Sequence, residues 1–198
     1  LKKLFLNAMM ICAVAFAGSA NAAVIHNMQN GKLVGASGIT IAGENYRVSF
    51  GNSCASMFDG CKSSLFDFKT ENAAVAALDA LFSQVFVDNV MINGVRYNFD
   101  SKPELVNSCD TQGFCEIWVP YLDLGNGTVQ SAWHVNTSNG DYVGSNNWYG
   151  PYTYGNGEEY MAFTNFEKMT AAVPEPASLA LLGLGLMGMR LSRKKKTV

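Results

Sequence analysis

Gly38-Ile39-Thr40-Ile41-Ala42-Gly43-Glu44-Asn45-Tyr46-Arg47-Val48-Ser49-Phe50 is the stretch that decides the fold class. Ile39 and Ile41 alternate with small or polar residues, and Tyr46, Val48 and Phe50 repeat the alternation after Gly43. Period-two patterning on both sides of a glycine is the mark of two half-buried strands folded into a hairpin. Lys32-Leu33-Val34 leads into the first strand. Downstream, Val90-Met91-Ile92-Asn93-Gly94-Val95-Arg96-Tyr97 predicts a second hairpin, because Asn-Gly suits a turn with two left-handed central residues. Glu116-Ile117-Trp118-Val119 and residues 128–135 read as further strands around Gly125-Asn126-Gly127. One segment departs from this pattern. Thr70 can cap a helix with Glu71 in its first turn, and Val75, Leu78, Phe82 and Val85 then share a face, with Leu81 beside them. The expectation is a mainly β, sandwich-like domain with one packed α-helix over about residues 70–87.

The chain has 198 residues, 48% apolar and 15% charged, which excludes a disordered or collagen-like protein. Its net charge of −2 hides an uneven distribution. Residues 23–173 hold seven Lys and Arg against fifteen Asp and Glu, a net of −8, while basic residues gather at both ends. An acidic middle argues against a nucleic-acid partner.

Leu1-Lys2-Lys3, an apolar run broken only by Asn7, and the small-residue ending Gly18-Ser19-Ala20-Asn21-Ala22 have the three parts of a secretory signal. Ala20 and Ala22 suit signal peptidase, so residues 1–22 are expected to form a signal helix removed after export. At the other end stand Val173-Pro174-Glu175-Pro176, an apolar Leu- and Gly-rich run to Met189, and a basic cluster that includes Arg190, Arg193 and Lys194. Residues 177–189 would span about 20 Å as a helix against a hydrocarbon core of roughly 30 Å, a short transmembrane helix. The arginines can snorkel at its far side, and the basic cluster should stay cytoplasmic. Pro174 and Pro176 prevent a helix from running through from the domain, which predicts an extended, accessible joint.

This tail resembles the PEP-CTERM sorting signal of bacteria, which is built of the same three parts in the same order. The resemblance implies recognition by an exosortase, an integral-membrane cysteine transpeptidase-like enzyme that cuts at or near Pro174-Glu175-Pro176, and a Gram-negative host with an exopolysaccharide system. It divides the chain into a signal peptide (1–22), a secreted β-rich domain (23–172) and a sorting signal (173–198). The order of hairpin, cysteine loop, helix and second cysteine pair is also similar to that of other cargo proteins with such tails, for which no activity is known. Some ice-binding proteins carry this type of tail, but the middle here lacks the regular Thr-rich repeats of a flat ice face.

Cys54, Cys61, Cys109 and Cys115 remain in the middle, an even number in an oxidising compartment, which predicts two disulfides. Three connectivities are open; the local pairs Cys54 with Cys61 and Cys109 with Cys115, each across a Gly-containing loop, are the expected ones. The spacings are too long for the usual zinc-ligand pairs. Residues 133–160 are rich in aromatics. Of these Trp133, Trp148, Tyr149 and Tyr152, flanked by Asn and Gly, form a candidate platform for stacking on sugar rings. Packing of these rings in a core is the favoured alternative.

No catalytic constellation emerges. The middle holds only His26 and His134, with no Gly-x-Ser-x-Gly and no His-Glu-x-x-His. Glu158-Glu159, or Asp123 with Asp141, could be nominated as a glycosidase pair, and fifteen acids make such pairs easy to find. The loops at residues 123–127 and 139–141 have oxygen chemistry that suits calcium, although solubility explains the acidic charge as well. The resulting expectation is a non-enzymatic exported protein without a cofactor. Its partners are the secretion machinery, signal peptidase, an exosortase, transiently the inner membrane, and exopolysaccharide. Its destination is the cell surface or matrix. A carbohydrate-binding module and a secreted carboxylate-dependent hydrolase are the alternatives.

Overall fold

The computed structural model describes residues 23–125, 128–143 and 159–170. The chain divides into two compact units between Lys168 and Met169. Within the first, strands β1 (Ile25–Gln29), β2 (Lys32–Ile41) and β3 (Glu44–Gly51) form an antiparallel meander. Its turns at Asn30-Gly31 and Ala42-Gly43 have positive φ at both central residues. That geometry matches the right-handed twist of the strands it joins. β4 (Val90–Ile92) and β5 (Val95–Tyr97) form the Asn93-Gly94 hairpin in the same way, as a separate two-stranded sheet. β6 (Phe114–Asp123), β7 (Val129–Thr137) and β8 (Tyr142–Val143) make a second meander.

β9 (Met161–Lys168) joins the two meanders. It pairs antiparallel with β3 and parallel with β6, giving one sheet in the order β1-β2-β3-β9-β6-β7-β8. A strand in the middle of a sheet covered on both faces should be apolar on both sides. β9 meets that requirement, with Met161, Ala162, Phe163 and Thr164 buried in succession.

Helix α1 (Cys54–Met57) is a single turn capped by Ser53, and α2 (Glu71–Gln84) is the main helix. Thr70 caps α2 as expected, its hydroxyl accepting from the Ala73 N–H. The buried stripe of α2 overlaps the expected one in part: Ala74, Ala77, Leu78, Ala80 and Leu81 are buried, while Val75 and Phe82 lie at its flanks. Three alanines in that stripe let the helix backbone approach the sheet closely, which larger residues would prevent. Gln84 fixes the end of α2 to β2, its side-chain amide exchanging hydrogen bonds of 2.9 Å with both the N–H and the C=O of Thr40. His26 on β1 holds the Val85 carbonyl at 2.9 Å.

The domain is thus mainly β with one packed helix. The larger core lies between one face of the sheet and a layer built from α2 with residues of the β4–β5 hairpin, and Leu33, Ile39, Leu78, Leu81, Phe86, Phe99, Ile117 and Phe166 fill it. On the opposite face a smaller core joins Phe58 and Phe66 to Trp118, Val129, Met161 and Phe163. The Cys54–Cys61 disulfide lies within that smaller core, and Cys109–Cys115 closes the approach to β6. Both are the local pairings. Closing loops this short stabilises a fold by roughly 2–3 kcal/mol each on the chain-entropy model.

The signal segment with Ala20 and Ala22, the sorting residues Pro174, Glu175, Pro176, Arg190, Arg193 and Lys194, and Trp148, Tyr149 and Tyr152 lie outside the described residues. Among the described residues no helix is long and apolar enough to cross a membrane.

Close strand packing at β2 makes a specific demand. A Cβ added at Gly35 would stand 2.3 Å from the Val48 carbonyl oxygen, a backbone atom that no side-chain rotation can move. Gly35→Ala is therefore expected to force β2 and β3 apart and to cost about 1–3 kcal/mol, read as a lower urea midpoint. An unchanged midpoint would contradict this packing.

Candidate functional site

The sheet face bearing the smaller core brings together the most chemically distinctive side chains of the described chain. Register places Trp118 of β6 directly opposite Trp133 of β7 and beside Phe163 of β9. The two indoles stack with centroids 5.7 Å apart and planes 14° from parallel. Two residues earlier on the same face of β6, Glu116 accepts the Trp118 indole N–H at 3.1 Å. Partial burial pushes the Glu116 carboxyl above its ordinary value, with the indole bond opposing the shift. Along β7, Ser131 Oγ and Trp133 Nε1 are buried without a hydrogen-bond partner among the described residues. Of the aromatic run, then, Trp133 and Tyr160 pack against the smaller core, while Tyr142 on the edge strand β8 is 66% exposed.

The nominated acids do not converge. Asp123 pairs in register with Val129 at the start of β7, whereas Asp141 accepts from the Thr137 N–H at its end. Eight residues of strand separate them by about 26 Å, far beyond the roughly 5–9.5 Å between the carboxyls of a glycosidase. Asp123 accepts from the Gly125 N–H at 2.8 Å and serves its own turn, whereas Asp141 also meets the Asp100 carboxyl, and burial first raises the pKa of Asp141 and Asp100 alike. Glu159 offers its backbone carbonyl to the N–H groups of Asp110 and Thr111, and Glu158 lies outside the described residues. Among the described residues, no three His, Cys, Asp or Glu are grouped to hold a metal ion.

His134 is 3% exposed and forms part of the larger core. Its Nδ1 lies 2.8 Å from the Trp133 carbonyl and its Nε2 3.2 Å from Asp79 on α2, with Phe82 edge-on to the ring. It ties β7 to α2.

A second charged region, which sequence reasoning missed, surrounds the end of β9. Arg47 pairs with Glu167 at 2.7 Å and Lys168 with Glu44 at 3.1 Å, both in the β3–β9 ladder. Asp67 is an exposed residue, yet its carboxyl is half-enclosed. Burial first, then repulsion from Glu167, pushes it from 3.8 up to about 6, while Lys69 opposes the shift. Only the proximity of Asp67 to Glu167, a hundred residues on in the chain, reveals this region, and no local pattern encodes it.

A family model for the PEP-CTERM protein-sorting motif matches residues 172–195. That match sets the C-terminal segment as the sorting motif of an exported protein targeted by an exosortase, first membrane-anchored and then placed at the surface. No curated protein and no solved structure matches the chain.

The Asp67 shift fixes the sign of a pH effect. A carboxyl whose pKa is higher in the folded than in the unfolded chain contributes stability below about pH 4 that is lost as pH rises to about 6. Asp67→Asn is expected to raise the urea midpoint relative to the native protein at pH 7.5 and to leave it nearly unchanged at pH 4. A gain of equal size at both values would show that charge at Asp67 is not the cause.

Proposed function

We propose that the protein is a non-enzymatic surface or matrix component, delivered by its sorting motif to the cell exterior and associated there with exopolysaccharide. In this reading residues 1–22 direct export, the domain folds and forms its disulfides outside the cytoplasm, and residues 173–198 hold it at the inner membrane until processing at or near Pro174-Glu175-Pro176. The observation that carries the reading is the sorting motif itself, matched from residue 172, four positions beyond the end of β9. The two disulfides suit an oxidising compartment. The acidic charge of the middle suits a soluble passenger.

A second reading, carbohydrate binding at the aromatic run, draws on one observation. Trp133 Nε1 and Ser131 Oγ, without partners among the described residues, lie buried on the face that also carries the Glu116 carboxyl, so a sugar would reach them only if that face opened. Sugar hydroxyls pair with such groups while their C–H faces stack on indole rings. Trp148→Ala should abolish glycan-array binding if this reading holds.

Replacing Pro174, Glu175 and Pro176 together with alanine tests the main reading. The variant is expected to be exported with its signal removed and both disulfides formed, but to stay full-length at its C-terminus and in the membrane fraction. Release of a shortened form at the native rate, measured by intact mass of membrane and medium fractions, would refute it.

A further inference from the structure

We infer that the end of the sheet from which β9 leaves the domain is a contact surface for the membrane-embedded sorting enzyme. The inference rests on the sorting reading above and adds to it a place on the domain. β9 is held by β3 along its length and by β6 at Met161–Phe163, and its last residue, Lys168, is in register with Tyr46 of β3. Five residues separate Lys168 from Pro174. Even fully extended, that spacer reaches only about 21 Å. A domain of this length has a radius of gyration near 15 Å and is therefore roughly 35–40 Å across. An enzyme that grips the Pro-Glu-Pro segment thus holds the near end of the folded domain within about 21 Å, roughly half the domain's own diameter, so this end is the one it can touch.

Topology says which surface that is. β6 runs parallel to β9, so its C-terminal end, with Leu122 and Asp123, lies at the same end of the sheet as Lys168. β3 is antiparallel to β9, so its first residue, Glu44, lies there too. The rim presented is charged but largely paired: Glu44 pairs with Lys168 and Arg47 with Glu167, and Asp67 near Glu167 and Asp123 at the end of β6 add acidic groups. Leu122, 44% exposed, adds an apolar side chain at the end of β6. The opposite end of the sheet, at the Asn30-Gly31 turn, is separated from this rim by the length of β2.

Photocrosslinking in the native host tests the inference on the full chain. Benzoylphenylalanine is placed singly at Glu44, Leu122 or Asn30, all exposed positions, and adducts are identified by mass as the sorting enzyme and by their loss in a strain lacking it. Adducts are expected from positions 44 and 122 and not from 30. Inserting twelve Gly/Ser residues after Thr170 triples the length between β9 and Pro174. Because effective concentration falls as about the −3/2 power of linker length, the adduct yield should drop about fivefold. Native processing without adducts at 44 and 122, equal yield at 30, or a yield indifferent to the insertion would each overturn the surface assignment. Native processing of the Pro174, Glu175, Pro176 alanine variant would instead overturn the sorting reading itself. Non-reducing peptide maps showing Cys54–Cys61 and Cys109–Cys115 in every variant keep misfolding from imitating either result.

Discussion

The insertion of β9 between β3 and β6 is the constraint on which the rest of this domain depends. Without it the chain is two antiparallel meanders, each of which would leave a strand edge bare and an apolar face half-covered. β9 pairs with β3 over six residues and with β6 at Glu116–Trp118, and carries Ala162 and Phe166 into the larger core and Met161 and Phe163 into the smaller. The two cores therefore share a wall, and α2 on one side and the Cys54–Cys61 loop on the other press against strands that only β9 holds together. Since it is also the last strand of the domain, its pairings span up to some 120 residues of sequence, as between Arg47 and Glu167. Contacts of that separation form late and slowly. The disulfide-closed loops, by contrast, bring Cys54 to Cys61 and Cys109 to Cys115 at little cost in chain entropy and can organise the two halves beforehand.

Polar groups follow the same division. His134, Gln84 and His26 each join the sheet to the region of α2, and their partners are backbone groups or a single carboxylate. Lys32 binds the carbonyls of Glu104 and Cys109 and the carboxylate of Asp110, fastening the segment before β6 to β2. These are the contacts of a scaffold. Groups that resemble ligand-binding chemistry, the Trp118–Trp133 stack with Glu116 and the unpaired Ser131 and Trp133 donors, gather on the other face.

Local signals made much of this architecture legible in the sequence. The turns at Gly43 and Asn93-Gly94, the Thr70 cap and the two short cysteine loops each depend on residues close together in the chain, and each stands where the pattern placed it. The strand at Met161–Lys168 was not legible, because burial on both faces erases the alternation that marks a strand. The face of α2 was legible in part, for a related reason: Leu78, Leu81 and Val85 are buried as expected and Val75 and Phe82 pack beside them, but the alanines of the stripe were not foreseen. Its buried stripe is largely alanine, whose small side chain contrasts weakly with its neighbours, so the larger Val75 and Phe82 dominate the pattern while standing at the flanks. Asp123 and Asp141 could be nominated as partners only because fifteen acids make pairs easy to find. Only the strand register shows that β7 lies between them. The sorting motif was fully legible, since its recognition depends on linear sequence and needs no fold.

The central position of β9 also gives the domain a mechanical character. Any pull on the sorting tail enters the domain at Lys168 and runs along the axis of β9, across ladders whose hydrogen bonds lie largely perpendicular to the strands. Such a load shears the β3 ladder from Lys168 inward and reaches the shorter β6 ladder at Met161–Phe163 last. A passenger drawn through an envelope by its C-terminus, or held there against flow, is thus loaded in shear along an interior strand and not peeled from an edge.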